Sequence, residues 1–178
     1  DDTTFVVDHL RVLRGMQLIS RFGLTPESHT VDLCRSLGPR DASPDQVFRA
    51  WRVMILSGSH IKAGLDFLLD TDWVRHFPEL AATVGVRQDP TWHPEGDVFV
   101  HTGHCMDEFA KARIGEDHED LTVGLAVLCH DFGKPSTTEF KDGRWRAHGH
   151  EQAGLAPTRS FLQRMAAEPI WLEVDPLV

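Results

Sequence analysis

Seven of the eleven His in this 178-residue chain (His93, His101, His104, His118, His130, His148 and His150) fall between positions 93 and 150. Imidazole is the commonest metal ligand and the usual acid–base group near neutral pH. The densest chemistry is the pair His130-Asp131, within Leu128-Cys129-His130-Asp131-Phe132-Gly133-Lys134-Pro135. An imidazole and a carboxylate stand side by side where an apolar segment ends. Gly133 reads as the helix stop, and Pro135 as a bar to continuation. A carboxylate at the edge of a dry core needs a partner charge or a metal. The plain alternative is that Asp131 caps a backbone while His130 packs. Lys134 could neutralise Asp131 or meet a substrate phosphate.

Two further groups are candidates to join the pair. His101 lies near the start of another helix, with His104 and Cys105 three and four residues on as competitors whose plain explanation is packing. His148-Gly149-His150-Glu151 follows a loop and opens a third helix; Gly149 allows close backbone approach to a ligand. A solvated loop is the plain alternative for His148. A three-ligand site requires groups from several helices to converge on one cavity.

The elements that must do this positioning read as helical nearly throughout. Apolar spacing predicts helices over Phe5–Phe22, ended by Gly23; from Thr25-Pro26, with Pro26 at the first position, to Leu37; and from Ser43-Pro44-Asp45-Gln46, a capping box, to a stop at Gly58. Another runs from His60 to Leu69, and Thr71-Asp72 starts a short one. Residues 84–96 are irregular and read as a linker. Asp97 caps a helix to Arg113, and 119–131 form one so apolar that it must be buried. Asp142-Gly143 marks a small hairpin. His150–Met165 is helical, bent at Pro157, and Pro169 opens a last helix cut short by the chain end. The fold class expected is all-α, a helical bundle over 1–84 followed by a second helical unit over 85–178.

Composition narrows the partners. The net charge is −9; residues 1–60 balance at seven Arg and seven Asp/Glu, so the excess lies in 61–178. That is a poor general nucleic-acid surface but suits a domain that recruits cations. The three Cys have no C-x-x-C spacing, which indicates reduced thiols, a cytoplasmic location and no zinc-thiolate site. No apolar run suggests a membrane segment, and no signal peptide is apparent. The absence of an initial Met points to processing or excision.

In order, His101, then His130-Asp131 with Gly133-Lys134, then His148-Gly149-His150 resembles the HD superfamily of metal-dependent phosphohydrolases. A narrower resemblance covers nearly the whole chain. Trp92-His93-Pro94-Glu95-Gly96-Asp97-Val98-Phe99-Val100-His101-Thr102, the His130 motif, Lys134-Pro135-Ser136-Thr137-Thr138 and His148-Gly149-His150-Glu151 are similar to the HD domain of bacterial CCA-adding tRNA nucleotidyltransferases. Val7-Asp8-His9-Leu10-Arg11-Val12-Leu13-Arg14 and Ile19-Ser20-Arg21-Phe22-Gly23-Leu24 resemble their neck. There the family places an acidic residue and an arginine that read the incoming base, which implies Asp8 and Arg11 here. Val7 departs from the family's Glu and His9 from its Pro.

The resemblance implies a neck followed by an HD-type domain, with activity on 2′,3′-cyclic phosphates, 2′-nucleotides and small phosphomonoesters. It implies a divalent ion (Ni, Mn, Co, Fe, Zn or Mg), held by His101, His130 and Asp131, with His150 and His148 on a second ion or the phosphate. Mixed nitrogen and oxygen ligands favour the transition metals over Mg. His130, Asp131 and Lys134 are the expected catalytic residues. The family's distant Asp ligand has a weak counterpart in Asp175, which His150 or water could replace. The family's Gly-Gly turn and D-x-D pair have no match, since Asp70-Thr71-Asp72 lacks a preceding Gly-rich loop, so this chain is not expected to add nucleotides. Expected partners are a nucleotide or RNA-terminal phosphoester, and tRNA or an absent nucleotidyltransferase head. The alternatives are a non-catalytic tRNA- or partner-binding fragment with an inert site, and a nucleotide sensor.

Overall fold

The computed structural model describes residues 8–39, 42–165 and 174. The elements are α1 (Arg11–Phe22), α2 (Ser28–Arg35), α3 (Pro44–Ser57), α4 (Ile61–Asp70), a 3-10 turn (Trp73–His76) and α5 (Pro78–Ala81). They continue with α6 (Val98–Ala112), α7 (Asp117–Cys129), α8 (Lys134–Thr137), β1 (Glu139–Lys141), β2 (Arg144–Arg146) and α9 (His150–Met165). The described chain is all-α apart from this one antiparallel hairpin.

Apolar residues at helical spacing decide which faces meet. Val12, Leu13, Met16 and Ile19 bury one side of α1, which packs on α3 and α4; α4 in turn packs on α6, and α3 and α6 both pack on α7. One hydrophobic core therefore runs from Val12 to Met165 and takes in Val174. Trp51 of α3, fully buried, meets Phe77 edge-on at 5.0 Å and Phe161 of α9 at 5.6 Å. Phe132 joins the cluster 5.3 Å from Phe161. Such ring pairs contribute about 0.5–1.5 kcal/mol each beyond burial. They also fix Phe132, and hence its neighbour Asp131, between α7 and α9.

Caps set the element starts. Ser43 and Gln46 form the expected reciprocal box, at 3.3 and 2.9 Å. Asp97 accepts from Val100 N (2.9 Å) and, through its other oxygen, from Gly85 N (2.6 Å). One side chain thus starts α6 and ties the irregular 84–96 segment against it, one turn before His101. In the hairpin Phe140 pairs with Trp145, and Asp142 and Gly143 take left-handed φ of 52° and 77°, the turn that an Asp-Gly pair favours.

The structure departs from the sequence expectations in several places. The described part of the first helix begins at Arg11. Thr25-Pro26 lie in irregular chain, and α2 starts only at Ser28, after an extended Glu27 (ψ 143°) in the capping position. Asp72 takes a left-handed φ of 60° just before the 3-10 turn, and Phe77, at φ −123° and ψ 74°, separates that turn from α5, so the expected short helix forms as two pieces. Gly133 is not a helix stop: α7 ends at Cys129, and Gly133 has a right-handed helical conformation. It is glycine because a Cβ there would lie 1.9 Å from the His150 carbonyl oxygen. Pro135 sits inside the one-turn α8, where its missing N–H costs nothing. Apart from Val174, the region of the expected last helix, Asp175 included, lies outside the described residues.

Candidate metal centre

The site is built around Asp131. The chain leaves α7 through His130, and tight turns (Phe132 N to Cys129 O and Lys134 N to Asp131 O, both 3.0 Å) carry it into α8. The Asp131 side chain is 1% exposed, and neither carboxylate oxygen accepts a hydrogen bond of proper geometry. Lys134 Nζ forms an ion pair with Oδ2 at 2.7 Å and donates to Gln88 Oε1 at 2.7 Å.

Three imidazoles face the same carboxylate. His130 Nε2 lies 3.3 Å and His101 Nε2 4.0 Å from Oδ2, and His150 Nε2 lies 3.5 Å from Oδ1. They come from the end of α7, the first turn of α6 and the first residue of α9. Each ring's other nitrogen is committed. Nδ1 of His130 donates to Val127 O, Nδ1 of His150 to Ala147 O (both 2.7 Å), and Nδ1 of His101 to Glu95 Oε1 at 2.6 Å. Carbonyl and carboxylate oxygens only accept, so each Nδ1 carries the hydrogen and each Nε2 can offer a lone pair inward. Orienting contacts of this kind accompany metal-binding histidines.

Electrostatics follow from this packing. Burial pushes the Asp131 carboxyl up, but His130 and Lys134 outweigh it and hold it at about 2. Burial lowers His130, and Asp131 more than compensates, so its value is raised; burial dominates at His101, which is lowered. Glu95 is held at about 2, chiefly by its own backbone N–H against burial, then by His101 and His93. A buried carboxylate with one close cation, Lys134, beside three oriented nitrogen donors, fits a divalent cation. Among the described residues, donor atoms also cluster as His101, Cys105 and His130, and as His93, Glu95 and His101.

Of the residues singled out from sequence, His101, His130, Asp131, Lys134 and His150 converge. His148 is exposed in the turn before α9 and belongs to neither donor cluster. Asp8 and Arg11 lie elsewhere, at the start of α1: Asp8 accepts from Leu10 N (3.1 Å) and stands 3.7 Å from Arg11 Nε. The sequence motifs mark no role for Glu95, His93 or Gln88; Cys105, a competitor of His101 with packing as its plain explanation, has its Sγ 3.4 Å from His101 Nε2. The two-residue step from His93 to Glu95, ahead of a capped helix bearing His101, was an available signal for Glu95. Nothing local marks Gln88.

No family model matches the chain, and no solved structure does. It is similar to curated proteins named Multifunctional CCA protein. That of Xanthomonas campestris pv. campestris (strain B100) is 36% identical over 172 residues, covering 90% of this chain and 40% of the relative. That of Pasteurella multocida (strain Pm70) is 34% identical over 167 residues, covering 90% and 39%. That of Stenotrophomonas maltophilia (strain K279a) is 35% identical over 170 residues, covering 90% and 40%. The chain thus spans about two-fifths of the length of these relatives, and the resemblance to CCA-adding enzymes read from its motifs is borne out over nine-tenths of it.

Proposed function

We propose that this homologue of part of the Multifunctional CCA proteins is a divalent-metal-dependent phosphohydrolase acting on nucleotide or RNA-end phosphoesters: 2′,3′-cyclic phosphates, 2′-nucleotides and small phosphomonoesters. The observation that carries the reading is Asp131, whose buried carboxylate has one close cation, Lys134, while three imidazoles present Nε2 toward it. His101, His130, Asp131 and His150 would hold the ion. A bound Mn, Ni, Co, Fe, Zn or Mg ion lowers the pKa of water towards neutrality and polarises a phosphoryl oxygen.

The chain's own groups do the rest. Asp131 would orient the attacking water and offset the positive charge that builds on its oxygen as the bond to phosphorus forms, before its proton passes to solvent. Lys134, between Asp131 and Gln88, balances charge developing on the phosphoryl oxygens. Glu95 holds the His101 ring in orientation. His148, exposed beside His150, meets the substrate phosphate. Asp8 and Arg11 are assigned to nucleotide binding on the family resemblance alone, and tRNA is the partner that a CCA protein's name suggests. No helix among the described residues is long and apolar enough to cross a membrane; reduced thiols support a cytoplasmic setting.

The test is hydrolysis of 2′,3′-cyclic AMP by the purified chain with Mn²⁺ or Ni²⁺. Metal-dependent turnover that chelation stops and His130→Ala abolishes is expected. No turnover with any of these ions, or full turnover in His130→Ala, would overturn the reading.

A further inference from the structure

The hairpin beside the metal centre carries side chains that the core does not use. All three residues of β1 are exposed, and neither Phe140 nor Trp145 belongs to the hydrophobic core. Their rings pair across the hairpin at 5.2 Å. Trp92, in the 84–96 segment, is 76% exposed, the highest value among the exposed large apolar side chains described, and Phe140 is 61% exposed. Singly exposed rings are ordinary on a protein surface. Here Trp92, Phe140 and Trp145 line one cavity of about 820 Å³.

That cavity borders a second space that reaches two residues beside the metal centre. This second space, of about 180 Å³, shares Trp92, Trp145 and Arg146 with the first and adds His93 and Lys134. Lys134 is the partner of Asp131, and His93 shares Glu95 with His101. Cations edge both spaces. Arg87 sits 5.6 Å from the Trp145 ring, and Arg144 lines the larger cavity. Arg146 pairs with Asp142 at 3.2 Å but keeps a buried Nε without a partner. Apart from Lys134, which Asp131 neutralises, three arginines (Arg87, Arg144 and Arg146) face two carboxylates, Asp89 and Asp142, on these walls, in a chain of net −9.

Flat rings, exposed at Trp92 and Phe140 and half-buried at Trp145, interleaved with guanidinium groups and bordering Lys134 and His93, suit unpaired bases on a phosphate backbone. Duplexes hide their base faces; single strands expose them for stacking on aromatic rings. We infer that the Trp92–Phe140–Trp145 groove, edged by Arg87 and Arg144, is a base-stacking subsite that receives the end of a single-stranded RNA and delivers its terminal phosphoester to the Asp131 centre. The delivery half of this statement rests on the phosphohydrolase reading above.

The test separates the two. Binding of a labelled single-stranded oligoadenylate ending in a 3′-phosphate is measured by anisotropy on the full chain in EDTA, so that metal and turnover play no part. Trp92→Ala and Trp145→Ala should each weaken binding roughly five- to hundredfold, the range for losing one stacked base. Arg144→Gln should flatten the salt dependence by about 0.7 in the log–log slope, one phosphate contact on a single strand. Phe22→Ala, which removes an exposed ring at the end of α1, should leave binding as it is, and the same sequence in duplex form should bind more weakly. If the wild-type chain does not bind the single strand, binds the duplex equally well, or binds as tightly after both Trp substitutions, the subsite is overturned. Failure of the cyclic-phosphate assay alone would remove the hydrolase reading and leave this binding result standing.

Discussion

Replacing Lys134 with Met should expose how the Asp131 carboxylate is paid for in the folded chain. Asp131 is 1% and Lys134 11% exposed in the side chain, with 2.7 Å between them. The folded carboxyl is held at about 2 by His130 and Lys134 against burial, below its ordinary 3.8. That difference corresponds to about 2–3 kcal/mol, and removing one partner of a buried pair costs about 3–5 kcal/mol. Lys134→Met should therefore lose about 3 kcal/mol near neutral pH, a fall in Tm of roughly 6–12 °C for a domain of this size. The sign with pH is fixed by the depressed carboxyl: its contribution is present above the ordinary carboxylate range and is lost as pH falls towards about 2. The gap between wild type and variant should close over that window. Saturating Mn²⁺ should restore part of the loss, because an ion at Asp131 replaces the missing charge, and Asp131→Asn with Lys134→Met should cost less than the two single losses together. Thermal melts followed by circular dichroism, with and without Mn²⁺, read all of this. A fall in Tm below about 2 °C, indifferent to pH and Mn²⁺, would refute the reasoning.

Glu95→Gln should weaken Mn²⁺ binding about 10–100-fold with little change in Tm, since Glu95 acts through the His101 ring; unchanged affinity in a calorimetric titration would remove it as a positioning residue. Gly133→Ala should destabilise the chain by about 1–3 kcal/mol or more in urea unfolding, because the new methyl meets the His150 backbone rather than a side chain that could swing away; unaltered stability would mean that α8 and α9 are not held this close. Cys34, fully buried and pushed up to about 11 by that burial, should resist iodoacetamide in the native chain at pH 8 and react on unfolding. The raised value also means that native stability falls as pH rises from the ordinary thiol range towards 11; rapid native labelling would contradict the burial.

The features legible in the sequence were those that local chemistry dictates. Ser43 and Gln46 announce their capping box, Asp97 its helix, Asp142-Gly143 its turn, and each forms as read. The imidazole–carboxylate pair was visible because His130-Asp131 follows so apolar a helix. What stayed hidden depends on tertiary approach. Gly133 looks like a helix stop until the His150 carbonyl is placed against it. Gln88 is an ordinary residue until Lys134 donates to it across 46 positions. Cys105 follows His101 by one helical turn, but only the inward turn of that face brings its sulfur to the His101 ring. Asp120 reads as one more acid on α7, yet it is buried and accepts the N–H groups of Ile114 and Gly115, fixing the loop between α6 and α7.

Asp131 and the imidazoles of His101, His130 and His150 are proposed to form one divalent-cation site. Calorimetric titration of Mn²⁺ into the wild-type chain and into Asp131→Asn tests it most directly, with circular dichroism to show that both are folded. Saturable binding in the wild type, lost in Asp131→Asn, is the predicted result. Equal binding by the two folded proteins, or none by the wild type, would contradict it.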